Sequence, residues 1–267
     1  MTGEPLAGGL ANAGAVTRHG SVVERPAPPH APALHAHLNG LRRRGFDGAP
    51  TPVCLTADGV RERLTYIPGD VALPPFPHWS MTDDALRSVG TLLRRMHDAA
   101  RAFPAGEEWS GEFADPSAAD AENLVLCHND VCPENVVFRA GRAAALIDFD
   151  MAAPGRPLWD VALTAGYWAP VLDPLSASLH YPPGLDPVHR VTVLADAYGL
   201  TPPDRAALPA TIEQAVAVCR AFVERRLAAG NEAFVNVHAE KGGWARWDRR
   251  QEWLAGRRGE FEAALRR

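Results

Sequence analysis

Lysine is nearly absent from this 267-residue chain: Lys241 is the only one among 27 basic side chains. Any task that a lysine ordinarily performs upstream of residue 241 must fall to arginine or be left undone. Basic residues are also outnumbered, 27 against 32 Asp and Glu for a net charge of -5, which argues against the concentrated positive face of a nucleic-acid binder. Cysteine is scarce too. Cys54, Cys127, Cys132 and Cys219 form no CxxC pair, so neither a zinc site nor a disulfide framework is indicated. No apolar run reaches the roughly eighteen residues of a bilayer span, and the N-terminus lacks a basic flank followed by an apolar stretch. These absences point to a cytoplasmic protein with no nucleic-acid and no membrane partner.

The balance that remains, 46% apolar and 22% charged, suits a chain that buries a large core in one domain or in two lobes around a cleft. Alternation through Ala15, Val16, Val22 and Val23 predicts a hairpin, and Thr51 to Leu55 and Arg61 to Tyr66, joined across Asp58-Gly59, predict two more strands. Leu34, Leu38 and Leu41 predict a helix over residues 33–44 that Gly45 ends. Beyond Pro68-Gly69 the helical period takes over. Leu86, Val89, Leu93, Met96 and Phe103 fall on one face of a helix over residues 83–103, with Thr82 or Asp83 as its N-cap. Bounded apolar runs at 124–127, 136–138 and 143–147 predict strands; 158–168, 187–198, 204–229 and two segments near Phe234 and Trp253 predict helices.

Most of the chemistry sits in one stretch. After the apolar run Leu126-Cys127 comes His128-Asn129-Asp130-Val131-Cys132-Pro133-Glu134-Asn135, then two apolar runs separated by a turn at Gly141, then Asp148-Phe149-Asp150. This is H-x-D-x-x-x-x-N followed by D-F-D. Phosphoryl transfer needs a carboxylate beside the attacking hydroxyl and oxygen ligands for Mg, and this pattern supplies both. Read for structure alone, Asp130 caps a turn and Asn135 satisfies loop backbone.

The segment from His128 to Asp150, the Leu158-Trp159-Asp160-Val161-Ala162 that follows, and the order of strand-rich before helical sequence resemble the aminoglycoside phosphotransferase and choline kinase group. The resemblance implies an α+β, protein-kinase-like two-lobe fold with a small strand-rich N-lobe and a larger, mainly helical C-lobe. It places the nucleotide-binding lobe at residues 1–67 with a hinge near 64–69, and the catalytic loop and acceptor site in residues 68–267. It implies Asp130 as the catalytic aspartate, Asn135 and Asp148 as Mg ligands, and Asp160 as a buried organiser of the catalytic-loop backbone. His128 would support the same loop. The activity implied is transfer of phosphate from ATP, or another nucleoside triphosphate, with Mg, to a hydroxyl of a small molecule: an antibiotic, amino sugar, amino alcohol or related metabolite. The alternative is a nucleotide-binding pseudokinase.

That alternative arises because a kinase of this type uses a small-lobe lysine paired with a helix glutamate, and both are missing here. Arg25, in Val22-Val23-Glu24-Arg25-Pro26, is the cation that would replace the lysine at the nucleotide phosphates; a surface arginine is the plain reading. His35 and His37 stand on the helix where the glutamate is expected. Gly8 and Gly9 would let backbone amides approach phosphate, and Thr65, Tyr66 and Ile67 would meet the adenine edge. For the acceptor, Asp150, Trp159, Tyr167, Trp168 and the loop around His180 and Tyr181 are the candidates, with core packing the competing role for the tryptophans. Glu107, Glu108, Glu112 and Asp115 form an acidic cluster that could attract a cationic antibiotic, or simply a solvated loop.

Overall fold

A computed structural model describes residues 3–6, 14–101, 103 and 109–267. Strands lead. β1 (Glu4–Pro5), β2 (Thr17–His19), β3 (Val22–Pro26), β4 (Pro52–Leu55) and β5 (Arg61–Thr65) form one antiparallel sheet in the order β1-β2-β3-β5-β4. Between β3 and β4 runs α1 (Ala31–Arg43), with Pro32 in its first turn, burying Leu34, Leu38 and Leu41. Along β5 the inward positions are Glu62 and Leu64 and the outward ones Arg61 and Arg63, so a carboxylate occupies a core-facing place.

The chain leaves this sheet through Tyr66 to Gly69. Gly69 has φ 151°, and a Cβ there would lie 2.5 Å from the Phe138 carbonyl oxygen, so only glycine fits. Asp70 and Phe138 then exchange backbone hydrogen bonds at 2.9 and 2.7 Å. The crossing from the first sheet is thereby fastened beside the catalytic loop.

Next come α2 (Asp83–Ala100), then β6 (Val125–Cys127), β7 (Val136–Arg139), β8 (Arg142–Leu146) and β9 (Ala153–Gly155). β6 pairs with β9 and β7 with β8, each a separate two-stranded antiparallel ladder outside the five-stranded sheet. Helices complete the chain: α3 (Pro157–Trp168), α4 (Pro174–Ala177), α5 (Pro187–Tyr198), α6 (Pro202–Ala228), α7 (Glu232–Glu240) and α8 (Gly243–Leu265). α2 packs on α5, α3 on α6, and α6 on α8. Leu86, Val89, Leu93 and Met96 of α2 are buried, each contributing about 1.5–3 kcal/mol through loss of apolar surface.

α6 has the length and, with a mean hydropathy of 1.3 over its most apolar stretch, the composition to cross a bilayer. Two destinations within the protein take up that apolarity. Leu208, Ile212, Ala215, Val216 and Phe222 are buried, and the same face reaches Cys219 and Val223 at the wall of the cavity described below.

The α+β, two-lobe kinase-like class stands as the sequence implied. Three local readings change. Helix α2 ends at Ala100, short of Phe103. The strand expected to include Ile147 stops at Leu146, because Asp148 turns into the left-handed region at φ 63°. β9 was not anticipated: Ala153-Pro154-Gly155 has neither length nor alternation, and only its pairing with β6 makes it a strand.

Candidate active site

The loop between β6 and β7 is held from beneath by Asp160, in the first turn of α3 and fully buried. Its two oxygens accept the backbone N–H groups of His128 (2.7 Å) and Asn129 (3.0 Å), and Oδ2 also meets His97 Nε2 at 3.0 Å. His97 Nδ1 reaches the Tyr198 hydroxyl at 2.7 Å, extending the network to α5. Burial opposes a charge on Asp160, yet His97, His128 and the loop amides outweigh it and hold its pKa below the ordinary carboxylate value. His128 is structural in geometry. Its Nε2–H donates to the Ile147 carbonyl at 3.0 Å and its Nδ1 accepts from the Asp130 N–H at 3.3 Å. Burial lowers its pKa, as this neutral tautomer requires.

Two non-glycine residues at the site have left-handed backbone, Asn129 at φ 64° and Asp148 at φ 63°. Asn129 is fastened there by Asp160 and by donation from its Nδ2 to the Met151 carbonyl at 3.0 Å. Such backbone persists where surrounding bonds over-determine it, and it sets where the next side chain points.

Asp130 is that next side chain. Its Oδ1 accepts from the Tyr167 hydroxyl at 3.2 Å, and its Oδ2 from Asn135 Nδ2 at 2.9 Å. Burial, with Asp148 and Glu134 adding repulsion, pushes its pKa up to about 7 against the pull of those two donors. The thiols nearby are unsuited to nucleophilic work, since burial raises Cys127 and Cys132 well above their ordinary range.

Arg25 enters the same centre from β3. It is 6% exposed, and its guanidinium meets Glu62 Oε1 at 2.8 Å through Nε, Asp148 Oδ1 at 2.5 Å through Nη1 and Asp150 Oδ1 at 2.6 Å through Nη2. Burial alone would lower its pKa; Asp150, Asp148 and Glu62 reverse that and raise it. Glu62 Oε2 in turn meets His35 Nε2 at 2.7 Å. A histidine from α1 and a glutamate from β5 thus stand together where a single helix glutamate was looked for. His37 has the other fate: it is buried with no hydrogen bond at either ring nitrogen among the described residues, and burial, with Arg44 adding to it, takes its pKa down to about 3.

Among the described residues the centre gathers Asp130, Asp148, Asp150 and Glu62 with one cation, Arg25, an excess of negative charge. Asn135 donates through Nδ2 to the Asp130 carbonyl and carboxylate, leaving the amide oxygen as the atom that could ligate a metal. An all-oxygen set with surplus negative charge fits Mg.

A cavity of about 410 Å³ opens over Asp130. Asp148, Asp150 and Tyr167 join its wall, so the structure brings these residues together with Asn135. Trp159 and Trp168 are corrected. Both are fully buried, donating from the indole N–H to the carbonyls of Phe113 (2.9 Å) and Val131 (2.8 Å), and neither reaches the cavity. Asp150 faces the cavity while bonded to Arg25, which gives it a second task beside the expected one. Arg25, expected at phosphate, is bonded to three carboxylates. The acidic cluster is likewise engaged: Asp115 pairs with Arg156 at 2.7 Å, and Glu112 with Arg225 and Arg226 at 2.8 and 3.1 Å. Gly8, Gly9, Glu107 and Glu108 lie outside the described residues. At the hinge, the Tyr66 N–H donates to the Ser21 carbonyl at 2.8 Å, and Thr65 Oγ1 accepts from the Thr51 N–H at 2.8 Å.

Glu62 was missed, although a charged residue at the inward phase of an alternating strand signals a buried partner. His180 and Tyr181, from the loop expected at the acceptor, also line the cavity, as do Lys241, Arg246 and Arg250, which no signal links in sequence.

Comparison with known proteins agrees with this geometry. The phosphotransferase enzyme family (APH) model matches residues 109–187. The trifolitoxin immunity protein of Rhizobium leguminosarum bv. trifolii is 33% identical over 198 residues, 70% of each chain. A choline/ethanolamine kinase family protein from Mesorhizobium loti superposes with TM-score 0.67 at 17% identity, over 100% of this chain and 92% of its own. The amicoumacin kinase hAmiN, solved with AMP-PNP, Ca2+ and Ami, superposes with TM-score 0.65 at 13% identity over 95% and 88%. The carboxylates gathered at one cavity, the kinase-like fold and the extended identity to the immunity protein agree: the chain belongs to the phosphotransferase enzyme family.

Proposed function

We propose that this protein transfers the terminal phosphoryl group of ATP, or another nucleoside triphosphate, to a hydroxyl of a small molecule: an antibiotic, amino sugar, amino alcohol or related metabolite. The observation that carries the proposal is Asp130, a carboxylate with its pKa pushed up to about 7, facing a cavity beside Asp148 and Asn135. A group poised near neutrality is suited to accept a proton from an alcohol.

In this reading Asp130 holds the acceptor hydroxyl and takes its proton as the oxygen bonds to the terminal phosphorus and the bond from that phosphorus to the bridging oxygen breaks, releasing the nucleoside diphosphate. Tyr167 and Asn135 fix the Asp130 carboxylate, and Asp160 fixes the loop that carries it. Asn135 and Asp148 would hold Mg, which neutralises charge on the polyphosphate when bound. Arg25 would exchange a carboxylate for phosphate oxygens and keep Glu62 as its anchor. Residues 1–67 would form the nucleotide lobe, with Thr65, Tyr66 and Ile67 at the adenine edge and Gly8-Gly9 over the phosphates, and residues 68–267 the catalytic lobe. The likeness to an immunity protein supports a protective role, phosphorylation of a toxic compound.

The test is a screen of hydroxylated antibiotics and metabolites with Mg-ATP, read by mass spectrometry. A gained phosphoryl group on one acceptor class supports the proposal. Nucleotide binding with no acceptor modified across the screen supports the pseudokinase instead.

A further inference from the structure

We propose that the cavity over Asp130 takes an acceptor with an apolar body and a carboxylate, the carboxylate seated against Lys241, Arg246 and Arg250; the inference rests on the phosphotransferase reading. The three cations come from the C-cap of α7 and from α8 and line the same cavity as Asp130. Among the described residues, neither Lys241 nor Arg246 has a carboxylate within salt-bridge distance. Arg250 donates from Nε to the Val171 carbonyl at 2.8 Å, a neutral partner. Two buried polar atoms on this wall, Arg246 Nε and His180 Nε2, have no hydrogen-bond partner among the described residues. A native interior seldom leaves such groups unsatisfied, and an anion would satisfy them.

The charges around this wall support the same conclusion. Burial and then Arg246 lower Lys241; burial and then Arg250 lower Arg246; burial and then Lys241 and Arg246 lower His180. The acids that face them are Glu134 and Glu240, toward Lys241, and Asp173, toward Arg246. Asp173 is already 3.5 Å from Arg249 and caps α4. Like charges crowded on a half-buried wall attract an anion and repel an ammonium. A polycationic aminoglycoside is therefore the wrong complement. Phe113, Leu163, Ile212, Val216 and Phe222 give the cavity an apolar stretch between this wall and the carboxylates at Asp130, and about 410 Å³ accommodates a molecule of ordinary ligand size.

The test uses three probes sharing one apolar body: ω-hydroxylauric acid, its primary amide, and the matching ω-amino alcohol. Their binding is measured by calorimetry, and phosphate transfer to each from Mg-ATP by mass spectrometry. The acid is expected to bind about tenfold more tightly than the amide, with the amino alcohol weakest. In Lys241→Met and Arg246→Met, checked for folding by their melting curves, the preference for acid over amide should fall toward unity. Equal binding of the three, preference for the amino alcohol, or binding of none overturns the inference. Tight binding of the acid without phosphate transfer to it, or to any acceptor in the broader screen, supports the anionic site and contradicts the phosphotransferase reading instead.

Discussion

Arg25 and Glu62 face each other across the β3–β5 ladder as register partners, and Glu62 Oε1 lies 2.8 Å from Nε and 2.7 Å from Nη2 of Arg25. The pair is wholly within the sheet, so the cation of this site is aimed by β-register instead of by a helix. Nη1 reaches Asp148 and Nη2 also reaches Asp150, linking the first sheet to the residues after β8.

Glu62→Gln should therefore lower turnover by about 10–100-fold, because Arg25 loses its anchor and phosphate positioning suffers. It should also destabilise the fold by about 3–5 kcal/mol, the usual effect of removing one partner of a buried pair. Arg25→Lys should retain more activity than Arg25→Ala but less than the parent, since an ammonium lacks the fork that engages three carboxylates. Steady-state kinetics in ATP and urea unfolding check both. Parent-like turnover of all three variants, with stability lost, would assign Arg25 a structural place only.

Asp160→Asn removes one of the two acceptor oxygens that hold the His128 and Asn129 amides. A destabilisation of about 2–4 kcal/mol is expected in urea, together with loss of activity from a displaced Asp130. The depressed pKa of Asp160 means that its contribution is present above the unfolded carboxylate value near 3.8 and is lost as pH falls through the lower folded value. The parent and the variant should accordingly converge in stability only in strong acid.

Asp130 has the opposite sign. Its folded pKa, about 7, is above the unfolded 3.8, so its contribution is complete below 3.8 and is lost as pH rises through 7. Asp130→Asn should raise the melting temperature by about 2–5 °C near pH 8 and leave it unchanged near pH 4. Scanning calorimetry at the two pH values reads the difference. A variant no more stable than the parent at pH 8 contradicts the raised pKa.

How much of this was legible in sequence depends on how the residues are distributed. His128, Asp130, Asn135 and Asp148 lie within one short stretch, so their types and spacing carry the chemistry before any tertiary contact is known. Asp160 was readable through the resemblance. Glu62 and the cationic wall were not, because Arg25 meets Glu62 only through sheet register, and Lys241, Arg246 and Arg250 meet the cavity only once α7 and α8 pack. The tryptophans misled for the reverse reason. Trp159 and Trp168 adjoin site residues in sequence, but α3 turns their rings into the core while Tyr167 faces Asp130.

The central claim is that Asp130 acts on the acceptor hydroxyl and Asp148 on the Mg-nucleotide. Single-turnover phosphate transfer and Mg-ATP binding, measured together on the parent, Asp130→Asn and Asp148→Ala, test it most directly. Asp130→Asn is expected to bind Mg-ATP like the parent while transferring phosphate at least about a hundredfold more slowly. Asp148→Ala is expected to lose both binding and transfer. Mild and equal effects of the two substitutions on transfer, with Mg-ATP binding unchanged in each, would contradict the assignment.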